Sequence, residues 1–125
     1  MSTRTESGDF DPPIENRADL ISVFAKGEKP VTRWRIGTEH EKFVYRTADH
    51  RAPSYDEPGG IRDLLMAMTR YGWEPVMEGG NVIALSGSDG TVSLEPAGQL
   101  ELSGAAVENL HQTCAETGRH LKQVK

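Results

Sequence analysis

One short run, Gln99-Leu100-Glu101-Leu102-Ser103, constrains this chain more than any other, because polar residues and leucines alternate through it without a break. In an extended strand neighbouring side chains point to opposite faces, so Leu100 and Leu102 mark a core side and Gln99, Glu101 and Ser103 the other. The same period runs through Gly37-Thr38-Glu39-His40-Glu41-Lys42-Phe43, where Glu39 and Glu41 share one side and Thr38, His40 and Lys42 the other. Two carboxylates one strand repeat apart repel each other and call for a nearby base or a divalent cation. These two faces are therefore expected to meet across a sheet and form a cation-dependent site. The bland alternative is a set of edge-strand charges that face water and pair with Arg33 or Arg35.

The rest of the chain reads as α+β, an antiparallel sheet flanked by helices. Residues 1–14 are polar and carry too little apolar surface to hold themselves down, so a mobile arm is expected before one domain over 15–125. Ala18, Leu20, Ile21 and Phe24 recur at helical spacing between a capping Asn16 and Gly27. Residues 31–45 read as extended, with charges on both sides. A second helix from Gly60 has Ile61, Leu64, Leu65, Met68 and Tyr71 as its apolar face and stops at Gly72. Strands are expected at 73–78, where Pro75 weakens the signal, at 81–85 after a Gly79-Gly80 turn, and at 91–94 after a loop over 86–90. Pro96-Ala97-Gly98 breaks the count, so the side of Glu95 relative to Glu101 is not fixed by alternation. A third helix from Ala105, capped by Ser103 or Gly104, would bury Val107, Leu110, Cys114, Leu121 and Val124. It is still in phase at Lys125, which suggests a chain cut short.

Composition narrows the function classes. The net charge of -5 comes with scattered Lys and Arg and no basic stripe, so nucleic acid is not expected as a partner. The one cysteine cannot form an internal disulfide and fits a reducing compartment. No stretch approaches the roughly 18 apolar residues of a membrane span, and the polar start lacks a secretory core. A cytoplasmic protein is the expectation. The glycine loops match no phosphate-binding signature, and the four histidines have no zinc spacing. Paired carboxylates also serve glycosidic cleavage, but there they face each other across a cleft rather than sit side by side on one strand. Trp34 and Trp73 read as core anchors and Cys114 as a buried, inert thiol.

The run Leu94-Glu95-Pro96-Ala97-Gly98-Gln99-Leu100-Glu101-Leu102-Ser103-Gly104, taken with residues 37–43 and the order of elements between, closely resembles the plant and proteobacterial type of glutamate–cysteine ligase. The resemblance covers the chain from about Asn16 onward. It implies an ATP- and Mg2+-dependent enzyme that joins the side-chain carboxylate of L-glutamate to the amine of L-cysteine through γ-glutamyl phosphate, the first step of glutathione biosynthesis. It implies a partial glutamine synthetase-like fold. Glu39, Glu41 and Glu101 would be catalytic, and Glu39, Glu41, Glu95 and Glu101 would be metal-facing. Glu39, Glu41, Gln99, Ser103 and Arg35 would lie on the nucleotide side. Family members are several times longer, so this stretch alone is expected to be inactive, with an open sheet edge that favours self-association. The competing class is a small non-catalytic binding module, or a remnant of the same scaffold that at most binds Mg-nucleotide. Ala97 stands where the family usually has a second glycine, a change that a turn with negative φ would tolerate.

Overall fold

The computed structural model describes residues 13–88 and 90–125. The arm expected at the amino end falls largely on residues 1–12, outside the described residues. The chain divides into two compact units, with the boundary between Trp34 and Arg35.

In the first unit, helix α1 (Arg17–Gly27) starts on a capping box in which Asn16 and Asp19 satisfy each other's backbone N–H groups. None of its residues is buried. After it the chain does not run on as a strand. Pro30 opens a 3-10 turn over Val31–Arg33, and the Trp34 indole N–H donates to the Lys29 carbonyl at 2.9 Å. Trp34 is 64% exposed, so it is no core anchor.

The second unit, Arg35–Lys125, holds a five-stranded sheet. Its strands are β1 (Glu39–Phe43), β2 (Glu74–Glu78), β3 (Asn81–Gly87), β4 (Gly90–Glu95) and β5 (Gln99–Gly104). The order is β1-β5-β4-β3-β2, and every neighbouring pair is antiparallel. The β2–β3 hairpin turns on Gly79 and Gly80, both at positive φ, as its two-residue turn requires. Pro75 is tolerated because β2 is an edge strand. A register shift opposite Val76 and Met77 lets Val82 and Leu85 both face the core while Ile83 points out.

Helix α2 (Ile61–Met68) drives Ile61, Leu65 and Met68 against Val82, Leu85, Val92, Leu100 and Leu102, and Trp73 closes the cluster. The Gly72 stop sits at φ 89 after one further 3-10 turn. Helix α3 (Leu110–Gln123) differs from expectation at its start and in its buried face. It begins at Asn109, which forms a capping box with Gln112, because residues before it are held extended by an Ile36–Val107 bridge. Its buried residues are Glu116 and His120, whereas Leu110 is 68% exposed and Cys114 is exposed. Val124 does pack against the core, but the most buried positions of α3 are polar because His120 and Gln123 find partners in Lys42 and Trp73. No helix among the described residues is long and apolar enough to cross a membrane.

Candidate active site

Strand pairing decides which side each carboxylate occupies. β1 runs against β5 with Glu39 opposite Ser103, Glu41 opposite Glu101 and Phe43 opposite Gln99. β4 runs against β5 with Glu95 opposite Gln99 and Ser93 opposite Glu101. Directly opposed residues in an antiparallel pair share a face. Glu39, Glu41, Glu95, Gln99, Glu101 and Ser103 therefore lie on one face of the sheet, the one turned away from Leu100, Leu102 and the core. The Pro96–Gly98 turn returns the chain without changing sides, which resolves the count that alternation left open. It does so with Ala97 at φ 64, not at the negative φ expected for an alanine there.

Within this face the Ser103 hydroxyl donates to Glu101 Oε1 at 2.5 Å, and the Gln99 amide donates to Glu41 Oε2 at 2.8 Å. The Ser93 hydroxyl donates to Glu95 Oε1 at 3.4 Å. Glu101 is 4% exposed, walled in by its neighbours on both flanking strands and along its own, while Glu39 and Glu41 are exposed. Directly opposed residues stand about 5 Å apart at Cβ, so ionised Glu41 and Glu101 oppose each other at a cost unless a cation lies between them. An open hollow of about 410 Å³ lined by Gly37, Thr38, Glu39, Ser103 and Gly104 adjoins one end of the face. Arg35 is placed before β1, where its guanidinium pairs with Glu108 at 3.2 Å.

Magnesium takes oxygen donors, commonly one or two protein carboxylates with phosphate and water completing the octahedron. Among the described residues no group of three His, Cys, Asp or Glu side chains is close enough to hold a metal ion. The opposed Glu41 and Glu101 suit the smaller donor count, so the residues present fit a magnesium ion shared with a phosphate ligand.

Alternation alone did not reveal what lies behind this face. Lys42 Nζ donates to the His40 carbonyl at 2.8 Å and the Leu100 carbonyl at 3.2 Å, and lies 2.8 Å from His120 Nε2. Burial lowers the Lys42 pKa to about 8, against the pull of the Glu101 charge. Burial, with the neighbouring Lys42 and His40, lowers His120 to about 4. His120 is thus neutral near pH 7 and accepts from Lys42 through Nε2, which puts its proton on Nδ1. One turn earlier, Glu116 Oε1 accepts from the Ala105 N–H at 2.8 Å, and its carboxylate fills the space where a Cβ on Gly104 would stand. A readable signal existed: Thr113, Glu116 and His120 follow the helical spacing of a packed face, though a polar one.

Residues 35–125, the same span as the second unit, match the family described as glutamate-cysteine ligase family 2. The chain belongs to this family. It is 51% identical over 110 residues to the chloroplastic glutamate–cysteine ligase of Brassica juncea, covering 87% of this chain and 21% of that protein. Against the chloroplastic enzymes of Solanum lycopersicum and Arabidopsis thaliana the identity is 50% over 110 residues, covering 87% of this chain and 20% of each. The chain spans about a fifth of the length of the curated glutamate–cysteine ligases it matches. These relatives are chloroplastic by name, which overturns the cytoplasmic placement expected from composition. A lone cysteine and a polar opening stretch do not single out the cytosol, because plastid transit peptides are amphipathic and Arg- and Ser-rich rather than apolar.

Proposed function

We propose that residues 15–125 form part of the catalytic domain of an ATP-dependent glutamate–cysteine ligase with a glutamine synthetase-like sheet, of the plant and proteobacterial type. Its carboxylate face would serve the metal and nucleotide side of the active site. The single observation that carries this reading is the shared face of Glu39, Glu41, Glu95, Gln99, Glu101 and Ser103, which strand pairing assembles from two separate segments. In the reaction, the γ-phosphoryl group of ATP passes to the side-chain carboxylate of L-glutamate, leaving ADP and an acyl phosphate. The amine of L-cysteine then attacks the acyl carbon, phosphate departs and the amine gives up a proton. Magnesium, when bound, offsets charge on the transferred phosphoryl group.

This chain's own residues have narrower tasks. Glu41 and Glu101 hold the ion, Glu39 and Glu95 extend the acidic field to either end, and Gln99 and Ser103 fix the carboxylates' orientation. Arg35 offers its guanidinium to the nucleotide phosphates, since a surface ion pair such as that with Glu108 yields at little cost. Mn2+ serves as the probe for the ion. Relaxation of water protons should report Mn2+ binding by the purified chain that weakens roughly tenfold or more in Glu41→Gln and Glu101→Gln. Glu74→Gln, on the far edge strand, should bind as the parent does. Equal binding by all of them would overturn the reading. The chain alone should release no phosphate from ATP in the presence of glutamate and cysteine. Release would refute the claim that this stretch holds only part of the active site.

A further inference from the structure

We propose that Lys42 is the positioning residue of the carboxylate face: from behind the sheet its ammonium ties β1 to β5 and to α3, and so sets how far Glu41 stands from Glu101. The inference rests on the cation reading of that face. A lysine ammonium has three donors, and Lys42 has one acceptor for each: the His40 carbonyl on its own strand, the Leu100 carbonyl on β5 and His120 Nε2 on α3. Lys42 pairs with Leu100 in the register step next to the Glu41–Glu101 pair, so the tie lies one residue from the two opposed carboxylates. Among the described residues β1 pairs with β5 alone, so its spacing from β5 depends on that one ladder and on whatever grips it from behind.

Covering half of an ammonium carries a desolvation cost that an apolar side chain of similar length would avoid. The titratable groups around it are His40 on β1, Glu101 on β5 and His120 on α3. Of these, Glu101 supplies the opposing charge and His120 the neutral acceptor. A half-buried charge held by acceptors from three elements suits a group that sets geometry, as outer partners do for the ligands of metal sites.

The test compares the parent chain with Lys42→Met, His120→Leu and His120→Gln, the last keeping an acceptor within reach of Lys42. Mn2+ affinity and amide hydrogen exchange in β1 are measured, with exchange in β3 and β4 as the gauge of global folding. Lys42→Met and His120→Leu should weaken Mn2+ binding by roughly tenfold and speed exchange in β1, with β3 and β4 unchanged. His120→Gln should stay near the parent in both. A lysine acting only as a competing positive charge would give the opposite sign, tighter Mn2+ binding in Lys42→Met, and that result would overturn the proposal, as would unchanged affinity. Failure of the parent chain itself to bind Mn2+ would instead sink the cation reading of the face. Exchange then decides alone, and parent-like protection of β1 in Lys42→Met rejects the positioning role.

Discussion

His120 carries the clearest consequence at the scale of single residues. Its folded pKa of about 4 lies below the ordinary 6.5, so between those values the unfolded chain binds more protons than the folded one. The stability gained by keeping this ring neutral is complete above pH 6.5 and drains away as the pH falls to about 4. Urea unfolding followed from pH 7 to pH 4 should show a shallower loss in His120→Gln than in the parent chain. Identical slopes would mean that the ring is not held neutral. At this scale the sequence was legible where alternation was strict. Glu39 and Glu41 do share a side, and Leu100 and Leu102 do face the core. The burial of Glu101 was not legible, because it arises from flanking strands distant in sequence. Nor was the exposure of Cys114, since a helical period names a face without saying which way that face turns.

Among the elements, the Pro96–Gly98 turn is where local chemistry and structure disagree. Ala97 sits at φ 64, a conformation that costs an L-residue roughly 1–2 kcal/mol, while glycine gives back about 0.5–1 kcal/mol through its freer unfolded chain. Ala97→Gly should therefore stabilise the folded chain by roughly 0.5–1 kcal/mol in chemical denaturation, and a loss of stability would show that the turn relaxes around alanine. Strand existence was readable from the chain, as were the Asn16 cap and the Gly72 stop. Long-range pairing overrode the local signal where reading failed. Residues 105–108 resemble a helix start, yet Val107 exchanges backbone hydrogen bonds with Ile36, and the helix waits for Asn109. Residues 31–33 resemble a strand, yet Pro30 with its fixed φ opens a turn.

At the scale of the whole molecule, the buried apolar residues among those described all belong to the second unit, which is also the span of the family match. Leu65 is fully buried and Leu20 is 48% exposed. Leu65→Ala should cost about 2–5 kcal/mol in a denaturant titration, and Leu20→Ala within about 0.5 kcal/mol of nothing. Comparable losses would place Leu20 in a core of its own. The packing of α3 on this unit also bears on how the sequence can change. Gly104 ends the strand that carries Glu101, and the space a methyl group would need there is taken by the Glu116 carboxylate, which in turn holds the Ala105 N–H. Alanine at 104 requires the Glu116 carboxylate to move aside and loosen its hold on the Ala105 N–H. Two sites in different layers are thus coupled in sequence space, so the effect of a substitution at 104 depends on the residue at 116.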